Sequence, residues 1–331
     1  MQSEISAPGW PGFPGFIHYE QERYEEFLKW VENGLGRDPE SLLLHEYRFI
    51  YRALHGDWKR AWQDWEYRDS RQPLLARFSL WPEWTGDPIP GKTLLVLGEH
   101  GIGDQIMFSR WLSKALIAAS AQRVVFVTRP ELRRWNFGPE EWLTVIAGEE
   151  NIPAFDFWIG LESLPLVTGW HEPFPAGASR NALNVKRVGI CWHGNPRVRV
   201  DQKRSTTFGM WLPLLQMPGL SFRSLQYNDC PDPRMEPLGP VTDIADTGCR
   251  MEDLDLVITV DTAIGHLAGA MGIPVWTLNY RPPEWRWGLA GESTDWYQSM
   301  RLFRQERRGE WGAVFERVQA ELLRVTSRAS G

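Results

Sequence analysis

The stretch Asp255-Leu-Val-Ile-Thr-Val-Asp261-Thr-Ala-Ile-Gly265-His266-Leu-Ala-Gly-Ala-Met-Gly272 changes period in mid-course: an apolar run stops at Asp-Thr and resumes as small residues with helical spacing. It reads as a buried strand, a tight turn and a helix start, the unit from which parallel α/β sheets are wound. The first turn of such a helix has backbone N–H groups without intrahelical partners and the positive end of the helix dipole, both of which favour an anion. Thr262 and His266 add side-chain donors toward the same spot. A phosphate-bearing ligand is the first hypothesis. An Asp/Thr N-cap on an ordinary βα unit accounts for this segment equally well.

Working outward, Arg187–Trp192, Ser221–Gln226 and Pro274–Leu278 read as sister strands of Leu256–Val260, and a helix with Val314, Phe315, Val318 and Leu322 on one face closes the chain from Trp311 to about Val325. An earlier set of short apolar runs covers Lys92–Gly98, Arg123–Thr128, Leu143–Ile146 and Phe155–Ile159, with one helix expected over Gln105–Ala119. Between the sets, Pro173-Phe-Pro-Ala-Gly-Ala178 has the composition of a linker. The expected fold class is α/β: two Rossmann-like, doubly wound domains facing a cleft, with ligands at the carboxyl ends of the strands.

Ahead of these lies a different texture. Residues 1–16, rich in Gly, Pro and aromatics, predict an irregular arm, and 19–69 predict three helices, with Tyr24, Phe27, Leu28 and Val31 on one face and Leu43, Leu44, Tyr47, Ile50, Tyr51 and Leu54 on another. Gly56-Asp-Trp58-Lys-Arg-Ala61-Trp-Gln-Asp-Trp65 resembles the second half of a tetratricopeptide repeat, although Phe49 stands where that repeat usually has a small residue. One unit cannot make a free-standing solenoid, so this piece is expected to dock on the α/β region that comes after it in the chain. The domain boundaries are therefore an arm over 1–18, a helical segment and linker over 19–90, and α/β domains over 91–180 and 181–331.

Of 331 residues, 43% are hydrophobic and 24% charged, enough for substantial cores, and the net charge of −6 argues against nucleic acid or an anionic membrane as principal partner. Cys191, Cys230 and Cys249 are odd in number, far apart and without a CxxC pair, which points to neither a disulfide framework nor a zinc site and fits a reducing cytosol. The first residues carry Glu4 and several prolines and glycines but no apolar core segment, and no run approaches the roughly 18 apolar residues of a membrane span. A cytoplasmic protein is expected. Nineteen tryptophans are the compositional oddity. Aromatic faces stack on sugars and bases, but packing with the indole N–H bonded at a rim is the commoner fate.

Two motif matches fail on context. Gly86-Asp-Pro-Ile-Pro-Gly91-Lys92-Thr93 fits the P-loop pattern letter for letter, yet it precedes a strand instead of following one, and its prolines delete N–H donors the phosphate cradle needs. Asp253-Leu-Asp255 mimics a metal-diphosphate DxD pair at the entrance of an apolar strand. The histidines show no HExxH or paired spacing, so no metal site is expected. Two loops carry more weight. Glu99-His100-Gly101-Ile-Gly103-Asp104 follows a buried strand; Gly101 and Gly103 permit a sharp turn and close ligand approach, and Asp104 stands at a helix mouth, either as a base or as a cap. The loop from Gly194 through Asn195, Arg197, Arg199, Lys203 and Arg204 to Ser205 concentrates four cations at another strand end, either as solvated surface or as a phosphate clamp.

Taken together, Gly103-Asp104, Trp192-x-Gly194-Asn195-Pro with Arg204-Ser205, Ser224-Leu-Gln226, Asp261-Thr-Ala-x-x-His266-Leu-Ala-Gly-Ala, Pro283-Glu-Trp285-Arg-Trp287, Trp296-Tyr-x-Ser-Met300 and Gly309-Glu-Trp311 resemble the heptosyltransferase-like glycosyltransferases of family 9, in the bacterial branch that carries tetratricopeptide repeats. The resemblance covers most of residues 56–325. It implies a GT-B fold, a nucleotide-activated sugar donor in the C-terminal domain, a surface glycan or protein acceptor on the N-terminal side, and no required metal or other cofactor. It also implies Asp104 as the catalytic aspartate, with Asn195, Arg204, Ser205, Asp261, Thr262, Ala263 and His266 at the donor diphosphate and Gln226 near the nucleoside. Ala263 departs from the glycine frequent there, a change a backbone N–H contact survives, and the abbreviated repeat region weakens any extended protein-binding groove. The expected reaction is metal-independent sugar transfer with inversion. The competing reading is a nucleotide-sugar-binding protein without turnover whose helices recruit a partner. An NAD-dependent enzyme lacks its GxGxxG and later acidic residue.

Overall fold

The computed structural model describes residues 15–175, 184–198 and 200–327. The expected arm over 1–14, the end of the expected linker over 176–178, and Arg199 of the cationic loop lie outside the described residues. The described residues divide into two compact units, one comprising 15–173 with Asp243–Ala245, the other the described residues of 174–242 and 246–327.

The first unit opens with helices α1 (Phe16–Glu20), α2 (Tyr24–Leu35), α3 (Leu42–Leu54), α4 (Trp58–Trp65) and α5 (Arg71–Arg77). In α2, Phe27, Val31 and Leu35 recur every fourth residue and are buried, and Glu25 and Glu26 in the first turn complement the helix dipole. Gly56, at φ +74°, makes the turn from α3 into α4, and Ala61 is fully buried. Phe49 does not obstruct this pair: it is accommodated against Trp62 and Trp65, with ring centroids 5.6 and 4.2 Å away.

The sheet of this unit is β1 (Thr93–Leu97), β2 (Arg123–Thr128), β3 (Leu143–Ala147) and β4 (Phe157–Gly160), all parallel, in the order β3-β2-β1-β4. Leu95, Leu97, Val125, Val127 and Trp158 form one core cluster with Phe78 from the helical segment. The single helix expected over Gln105–Ala119 is two, α6 (Ile102–Phe108) and α7 (Trp111–Ala119). At the break, the Ser109 hydroxyl and the Arg110 Nε donate to the carbonyls of Ile106 and Met107, side-chain bonds that compete with the helical ladder. A one-turn helix α8 (Leu164–Val167) follows β4.

The second unit holds β5 (Arg187–Cys191), α9 (Asp201–Arg204), β6 (Ser221–Ser224), β7 (Met235–Glu236), α10 (Ile244–Met251), β8 (Leu256–Val260), α11 (Ala263–Ala270), β9 (Val275–Asn279), β10 (Met300–Arg304) and α12 (Trp311–Ser327). Its six strands are parallel in the order β10-β9-β8-β5-β6-β7. Counted from β5, this is the 3-2-1-4-5-6 order of a doubly wound sheet. The strands are apolar because helices cover both faces. Trp211 and Phe315 pack edge to face beneath the sheet, and Val314, Val318 and Leu322 of α12 are fully buried.

Both sheets reverse direction of winding at their first strand, and the crevice where strand order reverses is where such sheets bind ligands. In the first unit that point lies between β1 and β4, in the second between β5 and β8. The edge strands of the second sheet, β7 and β10, are absent from the sequence-based expectation.

Candidate functional site

In the second unit, Cys191 pairs with Thr259 and Ile190 with Ser224, so β5, β6 and β8 release their next residues at one level. The segments that leave there contain every donor-site candidate. The Gln226 carboxamide oxygen accepts from the backbone N–H groups of Trp192 and His193, at 3.3 and 3.2 Å, and thereby sets the exit direction of the chain after β5. Ser205 accepts from the Gly194 amide at 2.9 Å, and the Arg204 Nε donates to the buried Asp201 carboxylate at 3.1 Å. A Cβ on Gly194 would lie 2.3 Å from the Asp201 Oδ1 and 2.7 Å from the Arg204 Nη2, so the loop closes only around a glycine. Asn195 is exposed; its side-chain oxygen accepts from the Arg197 amide in a local turn.

Asp261 and Thr262, both buried, follow β8. Thr262 occupies the N-cap position of α11 but its side chain makes no capping hydrogen bond. Its hydroxyl is instead 3.0 Å from the Thr259 hydroxyl and 3.8 Å from the Cys191 thiol. The simple N-cap reading of Asp261-Thr262 therefore does not describe this turn, and Ala263 begins the helix without side-chain capping from Thr262. His266, one turn on, is buried with Nδ1 2.9 Å from the Tyr297 hydroxyl and its ring stacked near Trp287. Burial pushes the Cys191 thiol up to about 11, so it is an inert wall, not a nucleophile.

In the first unit, the turn after β1 takes its left-handed residue at His100, φ +49°, and not at either glycine of the motif. Gly101 is extended and serves as N-cap of α6, Gly103 lies inside that helix, and Asp104 stands at its third position. The Asp104 Oδ2 accepts from the Gly101 N–H at 2.9 Å, so one carboxylate oxygen is engaged in closing the turn.

Sequence reasoning missed the charged cluster under this turn. Glu99 and Glu162, from the loops after the neighbouring strands β1 and β4, are both buried. Arg68, fully buried, forks onto Glu99 with Nε to Oε1 at 2.8 Å and Nη2 to Oε2 at 2.7 Å, and also donates to Ser163. Burial alone would raise the Glu99 carboxyl; the Arg68 guanidinium overrides it and holds the carboxyl below its usual range. Glu162 accepts from the Trp65 indole at 2.9 Å and bonds the His100 Nδ1 at 2.7 Å. The recoverable signals were polar residues inside or beside apolar runs: Glu99 directly after β1, and Glu162 within Gly160-Leu-Glu-Ser-Leu164.

The carboxylates of the DxD match are consumed structurally. Asp253 accepts from Arg223, and Asp255 from the amides of Lys186 and Arg187, at the amino end of the sheet. Lys92 of the P-loop match pairs with Asp156 ahead of β1. Among the described residues, no group of three or more His, Cys, Asp or Glu side chains is placed to hold a metal ion, and no helix is long and apolar enough to cross a membrane.

No protein-family model matches the chain. A curated relative, Protein FlbA of Caulobacter vibrioides, is 27% identical over 316 residues covering 80% of this chain and 52% of its own, so the chain spans about half the length of the relative it matches. Similar solved structures include E. coli heptosyltransferase WaaC with ADP (12% identity, 71% of this chain and 99% of that one, TM-score 0.48). They also include a family 9 glycosyl transferase from Veillonella parvula (10%, 74% and 98%, 0.47). A third is the iron-containing dodecameric glycosyltransferase TibC of enterotoxigenic E. coli (10%, 73% and 77%, 0.48). The fold expected from the sequence, two doubly wound α/β units behind a helical segment, is the one observed, and it rests on the strand orders rather than on these likenesses.

Proposed function

We propose that the protein is a glycosyltransferase that moves a sugar from a nucleotide-activated donor to a hydroxyl acceptor, glycan or protein. The second unit is assigned the donor and the first the acceptor, with the helical segment as a candidate acceptor dock. The observation that carries this reading is the convergence at the β5/β8 switch point: Ser205 and Arg204 are folded back onto Gly194, and the start of α11 is not capped by its own threonine. That set suits a diphosphate, since N–H groups at a helix start and a guanidinium act together on phosphate oxygens.

In the proposed mechanism Asp104 accepts the proton of the acceptor hydroxyl, or orients it, as the oxygen attacks the anomeric carbon with inversion. Charge on the departing diphosphate falls to Arg204, Ser205 and the Thr262–Ala263 amides, and no step is assigned to a divalent ion. Asn195, Asp261 and His266 shape the loop and the helix start, and Gln226 holds the backbone beside the nucleoside.

The test is a thermal-shift screen of nucleoside diphosphates and their sugar conjugates, followed by transfer assays. Stabilisation selective for one base identifies the donor class. Asp104→Asn should then bind the donor normally yet transfer roughly 10²- to 10⁴-fold more slowly. Because Asp104 also closes its own turn, the second reading, a nucleotide-sugar-binding protein without turnover, has an observation in its favour. Unchanged turnover in Asp104→Asn would remove Asp104 from the mechanism; donor binding with no transfer by the wild type would favour the second reading.

A further inference from the structure

We propose that the Tyr280 hydroxyl is a further donor-site contact: it donates a hydrogen bond to the terminal phosphate of a nucleoside diphosphate, the group that departs during transfer. This rests on reading the second unit as the donor unit. Tyr280 comes directly after β9. Strands β8 and β9 are in register with Val260 opposite Leu278, so Asp261-Thr262 and Asn279-Tyr280 leave neighbouring strands at one level, about 4.8 Å apart. Side chains alternate along a strand, and Trp276, Leu278 and Tyr280 share a core cluster with Ile258 and Val260 of β8 and Ile190 of β5. The Tyr280 ring is thus the last of a buried row, 8% exposed, at the carboxyl edge of the sheet. Its backbone is pinned on both sides. The Asn279 carbonyl accepts from the Gln305 N–H at 2.8 Å, and the Gln305 carboxamide oxygen accepts from the Arg281 N–H at 3.3 Å.

What the core does not supply is a partner for the phenol. Tyr297, equally buried, has its hydroxyl 2.9 Å from the His266 Nδ1. The Tyr280 hydroxyl makes no hydrogen bond among the described residues, yet it is not sealed from solvent as the unpartnered Tyr47 hydroxyl is. A ring fixed in the core with an unpaired polar tip at a strand end is a group presented to a ligand. Strand order says which part of the ligand it meets. Gln226 follows β6, Gly194 with Ser205 and Arg204 folded onto it follows β5, Thr262 and Ala263 follow β8, Tyr280 follows β9, and these strands are neighbours in the order β9-β8-β5-β6. A ligand with its nucleoside at Gln226 and its phosphates at Arg204 and the start of α11 runs along that row, which spans three strand spacings or roughly 14 Å, and reaches Tyr280 with its far end. Burial, then Glu284 and Asp261, push the phenol well above its ordinary value, so it stays a protonated donor. As the bond from the anomeric carbon to the phosphate oxygen breaks, its electron pair stays on the phosphate. The phenol keeps its proton and donates a hydrogen bond to the charge that gathers there.

The test is calorimetric titration of the full chain and of Tyr280→Phe with ADP, GDP, UDP and CDP and with the matching monophosphates, beside the Tm of each protein without ligand. Phenylalanine keeps the ring and removes only the hydroxyl. The ligand-free Tm should be unchanged or raised, since no internal bond is lost. Affinity for the diphosphate that the wild type binds should fall roughly 10- to 100-fold, the worth of a hydrogen bond to a charged group, while affinity for its monophosphate stays the same. An unchanged diphosphate affinity overturns the contact. Equal losses for the two nucleotides overturn its assignment to the terminal phosphate, and a lowered ligand-free Tm overturns it by giving the hydroxyl an internal role. Each of these results leaves the donor reading of the second unit standing. A wild type that binds none of the four diphosphates overturns that reading, and the inference with it.

Discussion

Replacing Arg68 with methionine keeps most of the side-chain volume and deletes the charge, which isolates the electrostatic part of the buried cluster. Glu99 would lose its two shortest bonds, at 2.8 and 2.7 Å, and retain the Ser70 hydroxyl at 2.9 Å and the Glu162 amide at 3.3 Å. Two neutral donors do not compensate a carboxylate at 5% exposure, and breaking a buried ion pair from one side costs about 3–5 kcal/mol. For a unit of this size that corresponds to a fall in Tm of about 2–4 °C per kcal/mol, on the order of 10 °C in all. Scanning calorimetry should show that loss in the first unit's transition and none in the second's. The pH dependence carries the sign. In the wild type, Glu99 is held below its ordinary value, so its contribution is present above about 4.5 and fades only as pH falls through the lowered value. In Arg68→Met burial is opposed only by His100 and the Ser70 hydroxyl, Glu99 takes a proton on mild acidification, and the deficit should shrink between pH 7 and about 5. Arg68→Lys, which keeps the charge without the fork, should fall between the two. A deficit below about 1 kcal/mol, or one that is the same at both pH values, would refute the assignment of this cluster as a charge-paired anchor.

Gly194→Ala should displace Arg204 or Asp201, because the new methyl has no room beside either; calorimetric affinity for the nucleoside diphosphate should fall about tenfold or more, and an unchanged value would return the loop to solvated surface. Arg204→Ala should weaken the same ligand through the loss of a charge-assisted contact worth about 1.5–3 kcal/mol, measured by the same titration. His100 adds a stability term of the opposite pH sense to Glu99. Its midpoint is raised, so its contribution is complete below about 6.5 and is lost as pH rises through about 9. With part of the ring in water the loss should be on the order of 1–2 kcal/mol, visible in wild-type unfolding between pH 6 and 10 and absent in His100→Asn.

Eight of the ten strands among the described residues were legible because each is a short apolar run with turn residues behind it, and the Leu256–Val260 run matches its strand end for end. The helix over Gln105–Ala119 was misread as continuous because its apolar spacing persists through Ser109-Arg110, where side chains rather than periodicity break the ladder. Strand β7 spans two residues and β10 lies in Met300-Arg-Leu-Phe-Arg304, where Arg301 and Arg304 hide it from a search for apolar runs. Glycine spacing located the turn at Asp104 correctly but credited the wrong residue with its bend. Arg68, Glu99, Glu162 and His100 are separated by up to 94 positions along the chain by their numbers alone (162 minus 68), so no local pattern could join them.

Those four residues also bear on how the helical segment is to be regarded. Arg68 and Trp65, at and just beyond the end of α4, bind Glu99 and Glu162 in the segments that follow β1 and β4. A chain trimmed at residue 91 would strand Glu99 without its cation and strip the stacked ring from His100. The helices are thus masonry of the first unit rather than a detachable reader clipped onto it, and a change in them would be felt at Glu99 and His100 whether or not any partner ever touches them.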